Sequence, residues 1–386
     1  MSEVALRSLV RRTVGGGTPS RAVPEFWKAE IPWASVKDIS TSGRNLRCTE
    51  EFISAAGLQA STANLVEPGT PIVAMRMAVG SVATFSNEVA INQDLRALLP
   101  SEGIDGTYLY YLVENSSERL SRLGVGSTVK GIRLEHLLAL SVPTPPDQNE
   151  QRSIAELLTA VDEQIAYVEL AVAKRTSVVE GVVFDAFGRL ADAPRVPLAN
   201  LAEVGSGVTL GRKFTGPGTV DYPYLRVANV QDGYLNLDEV KTIRLPESVA
   251  ARAMLQRGDV LMNEGGDFDK LGRGAVWQGE VPNCLHQNHV FRVRCNQELL
   301  LPEFLALWAA SEFGKKFFML ASKQSTNLAS INSTQLKKFP VLRPEIEVQR
   351  KVLRLVGTVT AELKQDQREL AKLRKLKVGL AQALLS

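Results

Sequence analysis

What most constrains this chain is that it says the same thing twice. Ser127 and Thr128, an apolar stretch, a proline and then Gln151 and Arg152 opening a long apolar-periodic segment return about 198 residues later. The second copy is Ser325 and Thr326, Pro344, then Gln349 and Arg350. Upstream, Val4, Leu6 and Leu9 with Gly15 to Gly17 recur as Val196, Leu198 and Leu201 with Gly205 and Gly207. Pro32, Trp33, Val36, Asp38 and Ile39 recur as Pro223, Tyr224, Val227, Asn229 and Val230, and Asn92, Leu95 and Arg96 as Asn288, Phe291 and Arg292. The offset drifts between about 189 and 199 residues, as loop insertions produce. One unit, a globular block followed by a helix, is duplicated, and self-similarity on this scale decides the architecture before any local reading does. Two similar heads on two helical arms suit a molecule that reads two places on one ligand.

The arms carry the clearest periodicity. Ile154, Leu157, Val161, Ile165, Val168, Val172, Val179 and Val182 advance in steps of three and four, as do Val352, Val356, Val359, Leu363, Leu370, Leu373, Leu376, Leu380 and Leu384. A period near 3.5 marks a coiled-coil seam. Each arm spans about 35 residues, roughly 50 Å of helix. Arg175 and Asp366 interrupt the two seams, and we expect an exposed, tolerated break there rather than a buried pair. The other reading is an amphipathic helix lying on its own head; length and placement favour paired arms. The seam residues expected to hold the coiled coil and its partners are Leu157, Val161, Val168, Val172, Val356, Val359, Leu363 and Leu370.

Charge supports that pairing. The net charge of +3 conceals an arm of −4 over residues 148–193 and one of +4 over residues 345–386, while the heads carry −1 over residues 1–147 and +4 over residues 194–344. Complementary arms are expected to choose each other. These four ranges are the expected domains.

Within the heads, residues 71–75, 259–262 and 290–294 have strand length and composition, and residues 106–113 and 302–308 read as helices. No strand–helix alternation sustains a doubly wound sheet, so an α+β fold with a mostly antiparallel or mixed sheet is expected. Prolines at positions 143, 145, 146 and 344 stop any element from running on and fix how each arm leaves its head. Three scattered cysteines give no disulfide framework, and neither a signal-peptide core nor an 18-residue apolar run is present, so a cytoplasmic protein is expected.

The chain offers little catalytic material. His286 and His289 stand near Cys284 and Cys295, but at no usual zinc spacing, and the corresponding residues 91–98 contain neither residue type. Gly15 to Gly17 lack the Gly-Lys-Ser/Thr ending of a phosphate loop. Asp221, Glu239 and Lys241 superficially suggest a nuclease core without its setting, and no copy occurs in the first half. No catalytic residue and no metal ligand is expected. Binding chemistry remains: arginine reads guanine, asparagine and glutamine read adenine, and arginine and lysine contact phosphates. For any single surface Arg or Lys, simple solvation is the competing reading.

The whole pattern resembles the DNA-sequence specificity subunit of type I restriction–modification systems, over essentially the full chain. The resemblance rests on the head–arm–head–arm plan, on the opening from Val196 to Gly207, on Tyr222 to Val230, and on Gly258 and Asp259. It rests above all on the passage from Ser325 and Thr326 through Ile331, Leu336, Pro340 and Pro344 to Gln349 and Arg350. Residues 31–39, Gly126 to Thr128 and Glu150 to Arg152 repeat it in the first half. With no helical segment before residues 3–12, the resemblance leads us to expect the version that starts directly with a recognition domain.

That resemblance implies that each head reads one half of a split, asymmetric site in double-stranded DNA, and that the antiparallel arms set the unread gap. It implies two adenine methyltransferase subunits and a motor nuclease as partners, with S-adenosylmethionine, magnesium and ATP held by them and no cofactor on this chain. Base readers are expected in residues 41–47, 75–87, 212–219 and 263–273. The DNA-contacting candidates are Arg44, Arg47, Arg76, Lys130, Arg212, Lys213, Lys270 and Arg273. Ser127, Thr128, Ser325 and Thr326 either touch phosphate or cap a turn. A solitary or decoy specificity chain, or a scaffold whose heads bind protein, are the rival functions.

Overall fold

The computed structural model describes residues 3–40, 43–125, 130–143, 147–211, 214, 218–266, 271–272, 274–325 and 328–385. The chain divides into two compact units, residues 1–170 with 367–386, and residues 171–366.

The first unit is α+β. Its larger sheet runs in the order Val10–Gly15, Leu95–Pro100, Ile72–Ala74, Val82–Phe85, Gly43–Leu46, antiparallel except for the last pair. A second sheet runs Glu51–Ile53, Ile31–Ala34, Val89–Ile91, Asn64–Val66, and its central pair is parallel. Glu3–Ala5 closes on Ser141–Pro143 as a separate two-stranded clasp. Helix Gly106–Asn115 covers the core, capped by Asp105, whose Oδ1 accepts the N–H groups of Thr107 and Tyr108 at 2.9 Å each. Those bonds satisfy donors that the first helical turn leaves unpaired.

The second unit repeats this frame. Arg195–Pro197 clasps Pro340–Leu342. One sheet runs Ala202–Ser206, Val290–Cys295, Val260–Asn263, Gly274–Val276, and a second runs Lys241–Pro246, Thr219–Leu225, Leu285–His286 with its last pair parallel. The expected strands and helices are found, helix Pro302–Ala310 starting on its proline.

Hydrogen bonding corrects the repeat register by one residue at the sheet crossing. Gly17 donates to Ile91 O and Val208 donates to His286 O, at 3.0 and 2.8 Å. Gly16 is therefore the counterpart of Gly207, and Asn92 that of Gln287 rather than of Asn288. A Cβ on Gly16 would lie 1.8 Å from Ile91 O, and one on Gly207 2.0 Å from His286 O, so the close approach of backbone to backbone demands glycine at both. Asp38 and Asn229 do match: each side chain accepts the N–H three residues earlier, of Ser35 at 2.7 Å and of Arg226 at 2.9 Å.

The arms are helices Gln148–Gly188 and Ile346–Leu384, somewhat longer than the periodicity predicts. Within the first unit, Ala155 and Leu158 share a core with Leu385, and Glu169 pairs with Arg374 at 2.7 Å. Within the second, Ala186 and Phe187 share a core with Val352 and Val356. Numbers rise along one helix as they fall along the other, so the pairing is antiparallel in each unit. Val168, Val356 and Leu370 are buried and Val161, Val172, Val359 and Leu363 half-buried. Leu157 is a correction: it is 45% exposed while Leu158 is fully buried, because the start of this arm packs on its head and presents the face carrying Ala155 and Leu158. Leu376 likewise turns outward, and Lys377 takes the inner position.

Arg175 and Asp366 overturn the expected idle break. They form an ion pair, Nε to Oδ2 at 2.6 Å, and Arg175 also bonds Glu362. Opposite charges at facing seam positions satisfy each other where two apolar residues are missing.

Candidate nucleic-acid interface

The segment joining each head to its arm is fixed by a glutamine. Gln151 accepts the N–H of Asp105 at 2.8 Å and donates to Gly103 O at 3.2 Å. Gln349 accepts the N–H of Leu301 and donates to Leu299 O and Pro344 O, each at 2.9 Å. Asp105 and Leu301 are the N-cap residues of equivalent head helices. The repeated Gln-Arg pair is therefore a mechanical joint; Arg152 and Arg350 are exposed.

A second joint lies in the first unit. Lys377 lies 2.9 Å from Glu114 and 2.8 Å from Asp162, and Tyr111 donates to Asp162 at 2.8 Å. Burial opposes the charge on Lys377, but the Glu114 and Asp162 carboxylates outweigh it and raise its pKa. Burial also raises the pKa of the Tyr110 and Tyr111 phenols above the ordinary range. Beside this cluster is a cavity of about 1080 Å³ whose lining includes Arg44, Arg47, Glu163 and Arg374.

The predicted contact residues separate. Gly43–Leu46 is an edge strand rather than a loop, and Arg44 is mostly buried, 3.9 Å from Glu163 of the arm. Its position ties it to the arm. Arg47 is exposed at the same cavity. Arg292 bonds Glu203 at 2.6 Å with only 7% of its side chain exposed, so it serves the sheet. Arg226 pairs with Glu239 at 3.2 Å. Ser127, Thr128, Arg212, Lys213, Lys270, Arg273 and Thr326 lie outside the described residues; Ser325 ends the strand Lys323–Ser325.

Arg76 and Lys130 are brought together. Met77 donates to Lys130 O at 2.9 Å and Ile132 to Met75 O at 2.8 Å, which makes Arg76 and Gly131 directly opposed. Val125 and Gly131 exchange both backbone bonds, at 3.0 and 3.1 Å. Arg76 is 65% exposed and lies 3.7 Å from Asp94, and Val125 is 77% exposed. Met77, also exposed, is held at φ 63°, a left-handed conformation that a non-glycine residue adopts only when its surroundings impose it. Sequence reasoning missed Val125 and Gly131, because backbone pairing across some fifty residues joins Gly131 to Arg76.

The second head has the same three-segment ribbon: Gly265 opposes Ser330, which opposes Lys323. Ile331 donates to Glu264 O as Ile132 does to Met75 O. Among the described residues no cluster of three or more His, Cys, Asp or Glu could hold a metal, and no helix is long and apolar enough to cross a membrane. Cys284 and Cys295 are buried, which pushes both thiols up to about 12.

Residues 3–171 match the model of the type I restriction modification DNA specificity domain. The chain is 29% identical over 188 residues to the type I restriction enzyme MjaIX specificity subunit of Methanocaldococcus jannaschii, covering 46% of this chain and 41% of that one. It is 30% identical over 156 residues to the EcoR124I/EcoR124II specificity subunit of Escherichia coli, covering 38% of each. By these matches the chain is similar to type I specificity subunits. Its matches span about two fifths of the length of these relatives. In fold it is similar to the S subunit of a type I restriction–modification system from M. genitalium, with a TM-score of 0.61, 15% identity and coverage of 100% and 96% of the two chains. That likeness is one of fold, the α+β heads and the long helices described here.

Proposed function

We propose that this chain is a DNA-recognition component that reads a bipartite, asymmetric site and directs adenine methylation and restriction by partner subunits. The observation that carries this reading is the pair of heads: one frame, built twice, presenting different residues at equivalent positions of the same ribbon. Arg76, Gly131 and Val125 in one head stand where Gly265, Ser330 and Lys323 stand in the other. A shared frame with unlike contact residues suits two different half-sites, and a non-palindromic target follows from it. The arms set the unread gap. Two methyltransferase subunits and a motor nuclease supply the chemistry, together with the methyl donor, magnesium and ATP, and this chain supplies the address.

The test is genome-wide adenine methylation in cells expressing a cognate methyltransferase with and without this chain. A new split motif, two short specified halves around a fixed gap, is the expected result. An assembled complex that yields no new motif would overturn the reading in favour of a scaffold or a decoy chain.

A further inference from the structure

We propose that the groove floored by Gly131 in the first head takes the major-groove edge of a base-pair step, with Arg76 addressing a guanine and Val125 a thymine methyl group. This rests on the DNA-recognition reading above and assigns its residues.

Directly opposed residues of an antiparallel pair project from the same face of the sheet. Arg76 and Val125 both oppose Gly131, from either side, so they form two walls over a residue that has no side chain. The resulting groove, about 620 Å³, is lined by Arg76, Val125, Gly131, Ile132, Arg133 and His136. Neither wall packs the core: Arg76 is 65% exposed and Val125 77%. The Gly131 floor matters, since a Cβ there would come within 3.3 Å of the Arg76 side chain and fill the space between the walls.

Its chemistry selects the occupant. A guanidinium presents a planar fork of donors, which fits the paired N7 and O6 acceptors of guanine, and an exposed branched apolar side chain fits the thymine 5-methyl; both are major-groove features. Exposed Lys130 and Arg133 add positive charge next to the groove, as a phosphate backbone requires. Asp94, 3.7 Å from Arg76, aims the fork rather than burying it. The strained Met77, pinned through Lys130 O, holds the ribbon in place.

The experiment uses the full chain with its methyltransferase, comparing wild type with Arg76→Ala, Arg76→Lys, Val125→Ala and Gly131→Ala. Methylation sequencing is expected to show relaxed specification at one or two positions of one half only, with the other half and the gap unchanged. Arg76→Lys keeps the charge but loses the fork, so it should relax the same guanine. In direct binding, 7-deazaguanine or uracil placed in that half should weaken the wild-type complex about 10-fold, and weaken no further the complex carrying Arg76→Ala or Val125→Ala respectively. A motif unchanged in all four variants, or a uniform loss over every sequence, overturns the assignment while leaving the bipartite reading intact. A wild-type complex without any motif overturns both.

Discussion

The backbone N–H of Leu301 donates to Oε1 of Gln349 at 2.9 Å, and through this bond the second arm caps a helix of its own head. Gln349 is fully buried and its amide group donates to the carbonyls of Leu299 and Pro344. Gln349→Ala leaves one donor and two acceptors unsatisfied and should cost about 3 kcal/mol. Gln349→Glu keeps the acceptor but loses both donations, so it should not rescue. Hydrogen exchange at the Leu301 amide and the thermal midpoint test this; an unchanged midpoint in Gln349→Ala would sink the idea.

Arg175 and Asp366 should behave as a coupled pair. Arg175→Asp or Asp366→Arg alone places like charges on facing seam positions, whereas the double swap restores attraction. Because Arg175 is 42% exposed, the coupling energy should be modest, about 1 kcal/mol. A double-mutant cycle on denaturation midpoints reads it directly, and simple additivity would show the pair to be idle.

Lys377 gives the first unit an alkaline limit. Its raised pKa means that its stabilisation is complete below the unfolded value of about 10.4 and is lost as pH rises through the folded value. Lys377→Met, leaving Glu114 and Asp162 facing each other, should cost about 2 kcal/mol at pH 7 and flatten the alkaline decline. Denaturation followed between pH 7 and pH 11 checks both.

His286 gives the second unit an acid limit. Burial, helped by the nearby Arg292 charge, pushes its imidazole from 6.5 down to about 4. The folded head holds it neutral, so stability is complete above pH 6.5 and falls as pH drops toward 4, by about 3 kcal/mol. His286→Ile, copying Ile91 of the first head, should abolish that acid sensitivity. Equal acid midpoints in wild type and variant would rule it out.

Much of the architecture could be read from the sequence because the duplicated signals are local. Apolar spacing defined the arms, and short apolar runs such as residues 290–294 defined strands. Where identity and hydrogen bonding diverged, identity misled: Asn92 resembles Asn288, but strand registry pairs its position with Gln287. Leu157 shows the same limit, since a seam read from spacing cannot know that the helix first rests on a head. Arg175 and Asp366 read as a tolerated break rather than a pair because spacing within each helix does not show that the two side chains meet. The candidate site was less legible still. Arg76 and Lys130 were selected by charge, but the groove needs Gly131 opposed to Arg76 and Val125, a relation that exists only after the backbone pairs. Arg44 carries the same charge signal, yet it is mostly buried beside Glu163 of the arm.

The split composition of the first unit has a consequence for biosynthesis. Leu385 belongs to the same core as Leu6, Leu109 and Leu158, whereas residues 171–366 form an uninterrupted stretch. During translation the later-made inner unit can therefore close its core before the earlier-made outer one. The first unit lacks part of its core until the segment carrying Leu385 has been made.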